Sequence, residues 1–238
     1  EKVAKQIGEQ LADVLKQRGI AGAVNGEAVR YAFRSDLRPF IKLGERLGRL
    51  QAQMMSGQLR RLVLALSGSV PAGTAEAVSA SVLTGVLSHL TEQVNLVNAP
   101  ILAQEMGVVL EVAKDGGSSA YTNQISLTVE TDKERRTFAG TVFGPELIRL
   151  VECDGFKLEV NPEGHMLFYR NVDRPGMLAK VGSELAAAGI NIAGLALGRD
   201  KPGQTALTII SVDSPIPAEI LSRVGRIEGV FEVRTVSL

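Results

Sequence analysis

Asn171, Val172, Asp173, Arg174, Pro175, Gly176, Met177 and Leu178 stand at the end of an apolar run, and Gly189, Ile190, Asn191 and Ile192 follow one helix length later. These residue types suit the capture of a small zwitterion. Asp173 and Asn191 offer oxygens to an ammonium group, and a helix opening after Pro175 presents backbone amides and partial positive charge to a carboxylate. Pro175 is predicted at the first helical position, where its missing N–H costs nothing, with Asp173 placed to cap the free amides of that helix. Gly176 removes a side chain where a ligand would approach the backbone. The same spacing is met if Asp173 only caps the helix and Asn191 only starts a strand. Holding an amino acid through main-chain groups points to control more than to catalysis.

Little else in the chain is equipped for chemistry. His89 is expected within an apolar helix and His165 at a strand start, and neither has a neighbour that would make it a proton carrier. Cys153 is the only cysteine, which excludes an intramolecular disulfide and fits a reducing compartment such as the cytoplasm, or the plastid stroma in a photosynthetic eukaryote. No Cys or His cluster has metal-ligand spacing, and no G-x-G-x-x-G turn follows a strand, so neither a metal nor a nucleotide cofactor is expected in this chain. Arg34, Arg38, Lys42, Arg46 and Arg49 gather along one predicted helix; such a stripe reads as a solvated face, part of which could meet an anion. With 26 basic and 26 acidic residues, no overall field would gather nucleic acid or an anionic membrane. No apolar stretch approaches the ~18 residues of a membrane span, and the first residues lack a charged segment followed by an apolar signal core.

The elements that must position these residues follow from hydrophobic period. At 238 residues and 45% hydrophobic, the chain is long enough for two domains, at about 100–200 residues each. Val3, Ile7, Leu11, Val14 and Leu15 mark a helix that starts abruptly and ends at Gly19, as though it were the last element of something larger. Helices are expected from Leu37 to Met55, Ala75 to Leu90 and Ala99 to Met106, with strands at Leu62 to Leu66 and Val108 to Val112 and a Gly/Ser loop from Asp115 to Ser119. From Thr122 the period becomes two: Ile125, Leu127 and Val129, then Phe138 and Val142 after a turn at Asp132 to Glu134, then Leu147 to Val151 and Phe156 to Val160. Asn161, Pro162, Glu163 and Gly164 punctuate the chain, and the domain boundary is placed there.

The remainder reads as strand Met166 to Arg170, helix Pro175 to Ala188, strands Ile190 to Leu197 and Thr205 to Val212, helix Pro217 to Arg226 and strand Val230 to Val236. That order, β-α-β-β-α-β, builds a ferredoxin-like four-stranded antiparallel sheet with both helices on one face. Its other face needs a cover, from a second copy or from the preceding domain.

On these residues a resemblance can be stated. N-V-D-R-P-G-M-L at Asn171 to Leu178 and G-I-N-I at Gly189 to Ile192 resemble the ACT domain, an amino-acid-binding regulatory module. The region from Asn25 to Asn161, with V-N-L-V-N-A-P at Val94 to Pro100 and G-T-V-F-G-P at Gly140 to Pro145, resembles the intervening allosteric substrate-binding domain of long-form D-3-phosphoglycerate dehydrogenase. The first helix, with A-V-N at Ala23 to Asn25, is similar to the last helix of that family's catalytic portion. The implied architecture is α+β: residues 1–24 as the terminal helix of the missing catalytic part, 25–162 as a mixed α/β intervening domain, and 163–238 as a ferredoxin-like ACT domain.

What the resemblance implies is the regulatory region of the NAD-dependent enzyme that commits 3-phosphoglycerate to serine biosynthesis, with NAD bound by the parent enzyme's catalytic domains. L-serine would bind where two ACT domains of a homo-oligomer meet, through Asn171, Asp173 and backbone amides around Gly176 on one side and Asn191 and Ile192 on the other. Asn171 stands where some members carry histidine or tyrosine. In the intervening domain Arg149 falls at a basic position of an anion site, and Asn161 where a second basic residue would be expected. Two other readings remain: a subunit of an iron–sulfur L-serine dehydratase, against which the lone Cys153 argues, and a scaffold that oligomerises its parent without binding an effector.

Overall fold

The computed structural model describes residues 34–91, 93–114 and 120–238. The helix expected at Val3 to Gly19 and the loop at Asp115 to Ser119 lie outside them.

Helix α1 (Arg38–Met54) buries Phe40, Leu43, Leu47, Leu50 and Met54, a stripe at helical spacing. It packs on α2 (Thr74–Leu87) at a spacing set by small residues. A Cβ added to Gly48 would stand 2.5 Å from the Val82 carbonyl oxygen, and one on Gly85 would stand 2.2 Å from that of Glu45. These two helices lie over a six-stranded sheet in the order β2-β1-β3-β4-β5-β6, built from β1 (Leu59–Gly68), β2 (Val109–Lys114), β3 (Asn123–Thr131), β4 (Arg135–Phe143), β5 (Leu147–Cys153) and β6 (Phe156–Val160). Only β1 and β2 pair in parallel, joined by a crossover through α2 and the short α3 (Ala99–Glu105). The other neighbours pair antiparallel, β3 to β6 as successive hairpins. Gln51 pins α1 to the sheet, its Nε2 donating to the backbone oxygens of Leu127 at 2.9 Å and Arg136 at 3.3 Å.

The second sheet has the order β10-β7-β9-β8, all antiparallel, from β7 (His165–Val172), β8 (Ile192–Arg199), β9 (Thr205–Val212) and β10 (Val230–Ser237). The mixed α+β class and the ferredoxin-like order are as expected. The anticipated boundary falls in the short connection between Val160 and His165. Helices α4 (Met177–Ala187) and α5 (Ala218–Gly225) cover one face, where Met177, Val181, Leu185, Ile220 and Val224 meet Leu167, Tyr169 and Ile210. The opposite face needed a cover, and the first sheet supplies one. Met166, Phe168, Ala196, Leu207 and Ile209 join Phe138, Leu158 and Val160 in one core, with the Phe138 and Phe168 rings stacked at 6.3 Å.

Two helix ends differ from expectation by more than one residue. The helix expected to reach Leu90 ends at Leu87, so His89 lies beyond it, exposed in a turn. Helix α4 starts at Met177, not Pro175. Pro175 precedes the N-cap Gly176, whose φ of 85° is the left-handed conformation that glycine adopts at least cost.

Candidate functional site

The turn after β7 is shaped by hydrogen bonds that differ from those expected. No side chain caps α4. The Asp173 carboxylate turns the other way, accepting from the Gly203 amide at 3.1 Å and approaching the Arg199 guanidinium at 3.5 Å, while the Asp173 amide donates to the Gln204 oxygen at 2.9 Å. The proposed capping role thus gives way to a tie between the turn and the β8–β9 loop. The chain reverses direction at Gly176, which needs its positive φ more than it needs space: nothing stands within 4 Å of an added Cβ.

Asn171 lies on the helix-facing side of β7 and is buried. Its Nδ2 donates to the Val172 oxygen at 2.7 Å, but its Oδ1 is buried without a partner. An orphaned acceptor beside the turn is a place for a donor, because leaving such a group unmade costs ~1–3 kcal/mol. Asn191 is exposed, with Nδ2 donating to the Asp213 carboxylate at 2.6 Å.

The sheet register separates the two halves of this set. β7 and β9 pair from His165↔Val212 to Val172↔Thr205, and β8 pairs with β9 from Ile192↔Val212 to Arg199↔Ala206. Ile192 is therefore level with His165, and Arg199 with Asn171. At about 3.3 Å per residue, Asn191 is ~25–30 Å along the sheet from the Asp173 turn of its own chain. Asn171, Asp173 and Gly176 form one cluster, and Asn191 and Ile192 another.

Arg149 lies on β5 with Nη1 on the Ile148 oxygen at 2.8 Å, and its Nε is 3.9 Å from the Glu159 carboxylate. It lines a cavity of about 690 Å³ between the two sheets, together with Asn161, Glu159, Glu163, Gly194 and Ser211. Arg149 and Asn161 are thus brought together, beside two carboxylates that temper the site's attraction for anions. Sequence reading missed those carboxylates because their neighbours come from separate strands. His165 shares a hydrogen bond with the Ser237 hydroxyl at 2.8 Å. Burial pushes the Cys153 thiol well above its ordinary pKa, which suits an inert core residue. Among the described residues no group of three His, Cys, Asp or Glu side chains could hold a metal ion, and no helix is long and apolar enough to cross a membrane.

A second charged constellation was not anticipated at all. Arg136 on β4 meets Glu134 at 3.1 Å, Asp154 at 3.1 Å and Glu232, while Arg170 on β7 meets Asp154 at 2.8 Å and Glu232 at 3.2 Å. Burial works against the Arg136 charge, but Glu232, Asp154 and Glu134 outweigh it and its pKa rises; burial lifts Asp154 above the usual carboxylate value despite the Thr137 amide and both arginines. The only sequence trace of this group is the Asp154-Gly155 turn.

An antiparallel ferredoxin-like sheet with an open turn after its first strand, backed on a mixed sheet, is the arrangement of an ACT-containing chain. A family model of the D-3-phosphoglycerate dehydrogenase intervening domain matches residues 36–154, and one of the ACT domain matches 165–229. The chain belongs to the D-3-phosphoglycerate dehydrogenase intervening-domain family and carries an ACT domain after it. Its relatives include D-3-phosphoglycerate dehydrogenases of Synechocystis (32% identical over 99% of this chain and 43% of the relative), Methanocaldococcus jannaschii (29%, 98% and 44%) and Bacillus subtilis (25%, 99% and 45%). The chain spans less than half the length of these relatives.

Proposed function

We propose that this chain is the regulatory region of an NAD-dependent D-3-phosphoglycerate dehydrogenase, sensing L-serine, the product of the biosynthesis that enzyme begins. The observation that carries this reading is the split site: acceptors clustered at Asn171 and Asp173, and Asn191 ~25–30 Å away along the strands.

The sheet edge supports a way to unite them. β8 is an edge strand carrying Ile192, Leu195 and Leu197 at 40, 44 and 45% exposure. An unpaired apolar edge favours a partner strand, and two-fold antiparallel pairing of β8 with β8 of a second copy sets the start of one strand beside the end of the other. Asn191 and Ile192 of the second copy then stand beside Arg199, the residue that reaches Asp173. The Asp173 carboxylate takes the serine ammonium, amides around Gly176 and the α4 N-terminus take its carboxylate, and Asn171 Oδ1 accepts from its donor groups. Serine bound across two copies favours one relative orientation of the ACT domains. Its differential affinity sets the coupling, typically 1–3 kcal/mol. NAD and the catalytic groups belong to the parent enzyme's catalytic domains. Arg149 and Asn161 are the corresponding candidates for an anionic ligand in the domain junction.

Isothermal titration with L-serine, beside glycine and D-serine, tests the reading. Saturable binding of L-serine that Asp173→Ala abolishes is the expected result. An Asp173→Ala protein that binds serine normally removes the site assignment, and a dimer indifferent to every amino acid favours the scaffold.

A further inference from the structure

Two non-glycine residues among those described have positive φ: Asp154 at 49° and Glu232 at 53°. They come from different sheets, yet their carboxylates converge on the same two guanidinium groups, Arg136 and Arg170. Left-handed backbone is unfavourable for glutamate and persists where surrounding contacts over-determine it.

Glu232 owes its conformation to a bulge in β10. Phe231 pairs with Arg170 and Arg234 with Phe168, so Glu232 and Val233 together oppose the single residue Tyr169. Immediately before the bulge the chain is fastened to the effector turn. The Val172 amide donates to the Gly229 oxygen at 2.8 Å, and Val230 pairs with Asn171. Arg174 donates to the Glu228 oxygen at 2.5 Å, pairs with the Glu228 carboxylate at 3.2 Å and lies so close to Gly229 that an added Cβ would stand 3.1 Å from its Nη2. The segment from Glu228 to Glu232 is therefore held at one end by Asn171, Val172 and Arg174, and at the other by Arg136 of the first sheet.

From this arrangement we infer that residues 228–232 are the coupling element by which occupancy of the effector turn reaches the intervening domain, with the Glu232–Arg136 ion pair as its releasable contact. The inference rests on the effector site proposed above. The pair crosses between the two sheets, and its loss frees the backbone at Glu232 to leave the left-handed region. A ligand that draws the Asp173–Gly176 turn inward displaces Arg174, which moves the Glu228 and Gly229 backbone it grips. Arg174 and Glu232 are positioning residues: neither needs to touch the ligand.

Hydrogen exchange of the full chain, followed by mass spectrometry with and without saturating L-serine, reads this directly. In the wild type, serine is expected to alter exchange at 171–178 and also at 134–156, the latter by roughly fivefold or more, the lower end of ordinary couplings. In Glu232→Gln the first change is retained and the second is lost. A second change that survives in Glu232→Gln overturns the inference. Should serine leave even 171–178 unchanged in the wild type, the serine reading fails by itself, and ligand-free Arg174→Gln becomes the arbiter. Altered exchange at 134–156 in that variant upholds the coupling, and unaltered exchange there, with 228–232 loosened, overturns it. Circular dichroism matching the wild type shows that either variant has folded.

Discussion

Arg136 holds its charge in a nearly closed setting because three carboxylates surround it, while burial raises the pKa of Asp154 against the pull of Arg136 and Arg170. Removing one partner of a buried ion group costs ~3–5 kcal/mol, because the other charge is left uncompensated. The Asp154 shift has a definite sign. A carboxyl whose folded pKa is raised binds its proton in the folded state first, so its contribution is fully present below the unfolded pKa and is lost as pH rises through the folded one. The unfolding free energy of wild type relative to Asp154→Asn is therefore expected to shift in favour of wild type as pH falls from about 7 to about 4. Urea titrations of both proteins at the two pH values measure it. Asp173 shows the opposite economy. Its bonds to Gly203 and Arg199 are exposed, where water or a ligand can replace them, which is why its substitution is expected to act on binding more than on folding.

The α1–α2 pair depends on the absence of side chains. At Gly85 an added Cβ would meet backbone oxygen, which cannot rotate away as the end of a flexible side chain could. Gly85→Ala is expected to push the helices apart and cost about 1–3 kcal/mol, read as a lower urea midpoint with unchanged m. Hydrophobic period located α1 without difficulty, because Leu43, Leu47, Leu50 and Met54 recur at helical spacing and are all buried. Helix ends were harder. Pro175 suits a first helical position, but Gly176, free to turn left-handed, took the cap and moved the start to Met177. Ser88 stands at the C-cap after Leu87, and its hydroxyl donates to the Gly85 oxygen at 2.8 Å, a local bond that accompanies the earlier end.

The two sheets behave as one body because a common core runs between them. Phe168→Ala, which removes the ring stacked on Phe138, is expected to cost ~3–5 kcal/mol and to divide thermal unfolding into two transitions, one for each sheet. Differential scanning calorimetry distinguishes that outcome from a single lowered transition. The covering of the ACT sheet by its own neighbour also bears on the proposed assembly: the face opposite the helices is occupied, which is why the pairing proposed above uses the β8 edge and not that face.

Local pattern determined the order and type of the elements, the ferredoxin-like arrangement and the clustering of Asn171, Asp173 and Gly176, because these depend on period, turn residues and neighbours within a few positions. Tertiary structure alone decided where Asp173 points, that Asn191 lies at the far end of the sheet from it, and that Arg136, Asp154, Arg170 and Glu232 meet. Each of these follows from strand register and from the packing of one sheet on the other. Such contacts join residues 16 to 96 positions apart, a distance at which no periodicity carries information.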